Sequence, residues 1–219
     1  MINTVFFDLD GTLSNSFEGI SGGILYALER LNIPAPPRDS LKSFVGPPLF
    51  DEFKRRFAMD DDMAREAVRL YREYYPQKGI YEQRPIEGAE ELLKTLSGQG
   101  ITLCLATSKP QEYAEKILKI FGFENYFRGV VGATFDGSIS AKADVIALAL
   151  RKTNALLESS LMVGDRFYDV EGAHACGVRC AGVLCGFGSR AEMESCGADF
   201  IAEKLLDIVY IVAADNAQK

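Results

Sequence analysis

The chain has 219 residues, 47% of them hydrophobic and 25% charged, enough to bury a sizeable core as one domain or as one with a second inserted into it. Its formal net charge of −7 repels a nucleic-acid backbone, so a nucleic acid polymer is not an expected partner, and an anionic small molecule would need positive charge gathered at its site. The apolar start Val5-Phe6-Phe7 is too short for a secretory h-region, and no later run approaches a membrane span. Five cysteines, at 104, 176, 180, 185 and 196, form no CxxC pair, which argues against a zinc site or a disulfide framework. These features together predict a cytoplasmic protein with no membrane partner.

In chain order, the first β-rich run is Thr4–Asp8. From about Ser16 to Gln83 the pattern is helical only. Phe17, Ile20, Ile24, Leu28 and Leu31 recur at three- and four-residue spacing, and Met63–Tyr75 forms a second amphipathic stretch. Pro34, Pro36 and Pro37 mark a turn between helices, and Arg84-Pro85 reads as a return linker. Asp60-Asp61-Asp62 suits the cap and dipole of the helix that follows, and Lys54-Arg55-Arg56 suits a solvated helix end. Beyond residue 84, strands near Ile101–Thr107, Gly129–Gly132, Leu161–Gly164, Arg179–Leu184 and Asp199–Ala202 alternate with helices such as Glu87–Ser97, Gln111–Phe121 and Ala143–Thr153. Apolar strands separated by helices predict a doubly wound, Rossmann-like parallel α/β sheet covered on both faces. The expected organisation is an α/β core of residues 1–15 and 84–219, with a small α-helical domain, 16–83, inserted after the first strand.

Ligands of such sheets bind beyond the carboxyl ends of the strands. The first strand runs into Asp8-Leu9-Asp10-Gly11-Thr12, where extended backbone would point Asp8 and Asp10 the same way. Adjacent carboxylates behind Phe6 and Phe7 cost stability unless a cation neutralises them or one is protonated. Gly11 lets the chain turn sharply and would offer backbone N–H groups to an anion. At the end of another strand, Thr107-Ser108-Lys109-Pro110 places Pro110 as the expected first residue of a helix, with Ser108 as a cap or an anion contact. Lys142 precedes a helix N-terminus, an unfavourable place for a cation unless carboxylates or a phosphate offset it. Gly164-Asp165-Arg166-Phe167-Tyr168-Asp169 puts one acid directly after an apolar strand and another one turn on, where Asp169 either caps the helix or shares a cation.

These four segments, Asp8–Thr12, Thr107, Lys142 and Gly164–Asp169, resemble in order the four motifs of the haloacid dehalogenase superfamily. The resemblance covers the whole chain, and Phe44-Val45-Gly46-Pro47-Pro48-Leu49 is similar to the cap loop of its phosphoglycolate phosphatase and 5′-nucleotidase-like branch. Only a helix, a strand and a loop fit between Thr107 and Lys142, so the insert at 16–83 would be the helical lid. The resemblance implies a Mg²⁺-dependent phosphatase acting on a small-molecule phosphate ester, as a monomer or homodimer. Asp8 would be the nucleophile and Asp10 the acid and base. Asp8, Asp165 and the Asp10 carbonyl would hold Mg²⁺, with Asp169 orienting its surroundings. Gly11, Thr12, Thr107, Ser108 and Lys142 would contact the phosphate, while Phe44–Phe53 and Arg166 would set selectivity.

Two rival readings accompany this one. A phosphomutase of the same superfamily typically carries a cap histidine, whereas the only histidine here, His174, lies outside 16–83 and reads as an ordinary helix residue. A non-catalytic phosphate-sensing or partner-binding module on the same fold would be expected to have lost acids that this chain keeps.

Overall fold

The computed structural model describes residues 1–217. The strands are β1 (Thr4–Phe7), β2 (Ser14–Asn15), β3 (Arg84–Pro85), β4 (Thr102–Pro110), β5 (Phe127–Ala133), β6 (Ser160–Gly164), β7 (Arg179–Val183) and β8 (Phe200–Ala202). The α-helices are α1 (Phe17–Arg30), α2 (Leu49–Phe57), α3 (Asp61–Tyr74), α4 (Ala89–Gly98), α5 (Gln111–Phe121), α6 (Lys142–Thr153), α7 (Phe167–Ala175), α8 (Arg190–Ser195) and α9 (Asp207–Ala217). The chain divides into two compact units, 1–14 with 85–219 and 15–84, joined through β2 and β3.

In the first unit, six parallel strands form a sheet in the order β5-β4-β1-β6-β7-β8. This is the doubly wound α/β core expected from the alternating pattern. The central strands read as continuous apolar runs because both their faces are covered. Every residue of β1 and β6 is buried. On one face Phe6, Cys104, Met162 and Cys180 pack with Val145, Ile146, Val170 and Met193 from the helices. The register then sets the site. Phe7 lies level with Leu105 on one side and Val163 on the other. The residues just beyond those positions, Asp8, Thr107 and Asp165, therefore emerge at one edge of the sheet.

The second unit is helical. Asp60 caps α3, its carboxylate accepting the Met63 N–H at 2.8 Å, with Asp61 and Asp62 in the first turn. Phe44 and Phe53 are buried, with ring centroids 5.4 Å apart, and Phe57 packs beside both. Within the segment Phe44–Phe53, expected to set selectivity, the two end rings are therefore packed inward. Its aromatic ends form the core of this unit, and the half-buried residues between them are Gly46, Pro47, Leu49 and Phe50. The unit also holds an open cavity of about 740 Å³, whose walls include Phe17, Arg38, Tyr74, Lys78 and Arg84. Among the described residues no helix is long and apolar enough to cross a membrane.

Candidate active site

Asp8, Asp165 and Asp169 are buried, and one carboxylate oxygen from each lies within 4.8 Å of the others. Lys142 is the cation among them, its Nζ 2.7 Å from Asp8 Oδ1, 2.7 Å from Asp169 Oδ1 and 3.1 Å from the Ala106 carbonyl. It opens α6 rather than preceding it, so its cost at the helix start is offset by two carboxylates. Burial works against the charged lysine, but Asp169 and Asp8 outweigh it and raise its pKa.

The carboxylates outnumber the cations. Burial, and then the charges of Asp169 and Asp8, push Asp165 well above the usual carboxylate range. Burial also raises Asp169 to about 6, against the pull of Lys142. Oxygen donors this close, and this hard to keep ionised together, are the donor set a hard divalent cation takes, and such a cation would restore their ordinary ionisation. The residues fit Mg²⁺.

Two tight backbone approaches hold the acids in place. A Cβ on Gly164 would sit 2.1 Å from Asp169 Cγ, so only glycine admits that carboxylate beside the end of β6. Asp169 Oδ2 accepts the Arg166 N–H at 3.1 Å while its other oxygen faces Lys142, so the residue is helix cap and cluster member together. Asp165 Oδ2 accepts the Phe187 N–H at 2.8 Å, and a Cβ on Gly186 would fall 2.4 Å from the same oxygen. The loop after β7 thus closes over Asp165. Nothing in the sequence reading pointed to it; the glycines flanking Phe187 after an apolar strand were its only signal.

Three expected positions need correction. Pro110 ends β4 and caps α5 instead of opening it, because the extended strand runs on to that residue. Ser108 is half-buried and does not cap the helix, and among the described residues no hydrogen bond ties it to the cluster. Gly11 does not present its N–H to an anion. It adopts φ +86° and donates to the Ser14 carbonyl at 2.8 Å, and a Cβ there would lie 2.1 Å from Asp165 Oδ2. Thr12, expected at the phosphate, is buried, and its hydroxyl donates to Asp165 Oδ1 at 3.3 Å.

Asp10 separates from the other acids. Its carboxylate is gripped by Lys109 Nζ at 3.0 and 2.7 Å, a partner the sequence reading left without a role. Thr107, almost fully buried, accepts the Lys109 N–H on its hydroxyl oxygen at 3.2 Å. Arg166 pairs with Glu192 at 3.0 Å, and His174 pairs with Asp199 at 2.8 Å.

A parallel sheet with a buried aspartate just after β1, a buried threonine hydroxyl within β4, a lysine opening α6 and acids just after β6 is the layout of a class of hydrolase. The family model for haloacid dehalogenase-like hydrolases matches residues 5–183, and the chain belongs to that family. It is 41% identical over 191 residues to a 5′-nucleotidase of Pseudomonas aeruginosa, covering 87% of this chain and 86% of that one. It is 38% identical to the tyrosine-protein kinase PtkA of Mycobacterium tuberculosis, over 94% of this chain and 67% of that one. Among solved structures, a predicted phosphatase from Clostridium acetobutylicum matches with a TM-score of 0.95 and 38% identity, over 98% of this chain and 99% of that one. The chain is therefore an enzyme of a hydrolase family, and proteins named as phosphatases are among those it resembles.

Proposed function

We propose that this enzyme is a Mg²⁺-dependent phosphomonoesterase that hydrolyses a small phosphorylated metabolite, of the phosphoglycolate or nucleoside-monophosphate class, through a phosphoryl group carried on Asp8. The observation that carries this reading is the buried set Asp8, Asp165 and Asp169 around Lys142 at the sheet edge. The likeness to a 5′-nucleotidase supports the nucleoside-monophosphate side of the class.

Asp8, Asp165 and Asp169, with the Asp10 carbonyl, would hold Mg²⁺, whose charge screens the phosphate oxygens and the carboxylates from one another. Lys142 fixes Asp8 Oδ1 at 2.7 Å, which leaves the other oxygen of that carboxylate to attack phosphorus. The new bond joins Asp8 to phosphorus as the ester P–O bond breaks, and the Asp10 carboxyl proton goes to the departing oxygen. Asp10 then takes a proton from the water that cleaves the Asp8–phosphorus bond. The Thr107 hydroxyl and Lys142 bind the equatorial oxygens, where charge gathers in the transition state. The helical unit, 15–84, would act as the lid that excludes water, in a monomer or homodimer.

The test is inorganic phosphate release from phosphoglycolate, nucleoside monophosphates, sugar phosphates and p-nitrophenyl phosphate, with Mg²⁺ and with EDTA. Turnover that needs Mg²⁺ and falls at least 10³-fold in Asp8→Asn is expected, on the order of what loss of a nucleophile costs. No release above the Asp8→Asn background would overturn the reading. Isomerised sugar phosphate would do so in favour of a mutase, and transfer from ATP to a tyrosine peptide in favour of a kinase.

A further inference from the structure

Lys109 is 7% exposed, and a lysine that deep is uncommon unless it is paired. Its partner is Asp10, with Nζ at 2.7 Å from one carboxylate oxygen and 3.0 Å from the other. Among the described residues no other side chain hydrogen-bonds that carboxylate. Asp10 lies beyond the end of β1, and the bridge its backbone makes to Ser14 leaves the carboxylate itself to be held by side chains. Without Lys109 that carboxylate loses its side-chain partner, and a proton donor or acceptor must stay within hydrogen-bond reach of its target. A carboxylate offers about four acceptor directions, and the clamp takes one on each oxygen. One direction on each oxygen is left: in the acid form it carries the proton that goes to the leaving oxygen, and in the carboxylate form it accepts from a water.

The same residue acts a second time through its main chain. The Lys109 N–H donates to the Thr107 hydroxyl oxygen at 3.2 Å, so the Thr107 hydrogen is directed elsewhere. The β4 ladder shifts register between Thr107 and Pro110. Irregularities of this kind re-aim side chains near active sites, and here the shift spans the residue that makes both contacts.

We infer that Lys109 is the positioning residue of the proton-transfer step, clamping the Asp10 carboxylate for the leaving oxygen while its backbone aims the Thr107 hydroxyl at the phosphate. This rests on the reading of Asp10 as acid and base given above. The clamp moves no proton itself. It fixes the group whose proton travels to the departing oxygen as the P–O bond breaks and the Asp8–phosphorus bond forms.

The experiment is kcat/KM of Lys109→Met on two esters, an alkyl phosphate with a poor leaving group and p-nitrophenyl phosphate with a good one. kcat/KM stops at phosphoryl transfer to Asp8, so it reads leaving-group departure alone. The variant keeps the backbone N–H to Thr107 and loses the clamp on Asp10. The alkyl ester should lose on the order of 10²-fold and p-nitrophenyl phosphate less than about tenfold, because a good leaving group departs without a proton. In an Asp10→Asn background the same substitution should cost less than about threefold on the alkyl ester, since the two residues act as one unit. Should Lys109→Met fail to fold, Lys109→Gln keeps a donor of similar length, and p-nitrophenyl phosphate turnover certifies the folded site. Equal losses on both esters, no loss on the alkyl ester, or additive losses with Asp10→Asn would each overturn the inference. A wild-type enzyme inactive on both esters would instead sink the phosphatase reading, which keeps the two failures apart.

Discussion

Lys142→Met removes the one cation that two buried carboxylates share. The side chain is 6% exposed and lies 2.7 Å from both Asp8 and Asp169. Breaking a buried pair by deleting one partner costs about 3–5 kcal/mol, because a charge is left without compensation. Relief is available here. Burial already raises the Asp169 carboxyl against the pull of Lys142; without that lysine it rises further and can take up a proton at neutral pH, which places the expected loss at the low end, about 3 kcal/mol. For a chain of this size that is a fall in Tm of roughly 6–12 °C, measured by circular dichroism in EDTA at pH 7. The sign of the pH dependence follows from the shifts. The raised pKa of Lys142 makes its contribution complete below 10.5, so it is constant from pH 6 to 9. The raised pKa of Asp169 favours the metal-free fold below 3.8, and that contribution is lost as pH rises through about 6. The deficit of the variant should therefore narrow on acidification toward pH 6. A shift under about 2 °C in EDTA, or a deficit that widens on acidification, would refute the claim that Lys142 holds the acids together.

Two further outcomes follow from packing and burial. Gly164→Ala would drive a methyl group to 2.1 Å from Asp169 Cγ. It should cost about 1–3 kcal/mol and, by displacing that carboxylate, weaken Mg²⁺ binding about tenfold or more, as read by a Mg²⁺ titration of Tm. Cys185 is an exposed residue, yet burial of its thiol and the Asp165 charge push it up to about 11. Iodoacetamide at pH 8 should therefore label it about a hundredfold more slowly than a free thiol, and labelling at the ordinary rate would show an unshifted sulfur.

What could be read in the sequence was whatever depends on neighbours along the chain. All six strands of the sheet stood out as short β-rich runs, most plainly β1 and β6, where burial on both faces leaves no alternation to confuse them. Asp60 was legible as a cap because a cap bonds three residues ahead. The failures came where long-range packing decides. Pro110 looks like a helix start by local preference, but pairing with Ala133 of β5 keeps it extended. Gly11 looked like an anion donor, whereas the approach of Asp165 across the sheet is what requires its missing side chain. Lys109 and Asp10 are 99 positions apart, and no local pattern marks such a pair. That the rings of Phe44 and Phe53 pack on Phe57 is likewise visible only in the fold.

The central place of β1, between β4 and β6, also bears on how the enzyme is made. Asp8 leaves the ribosome well before the loop that closes over Asp165, at Gly186 and Phe187. Parallel pairing across such separations is slow, since loop closure must precede any reward from contact. Until β4 and β6 dock on either side of β1, the Asp8 carboxylate remains in water, where its charge costs little. The electrostatic strain of the site thus arises only when the sheet closes, and Lys142, arriving with α6 before β6, is already there to meet it. Recovered turnover after refolding would consequently report the joining of distant chain segments, a stricter standard than regained helix content.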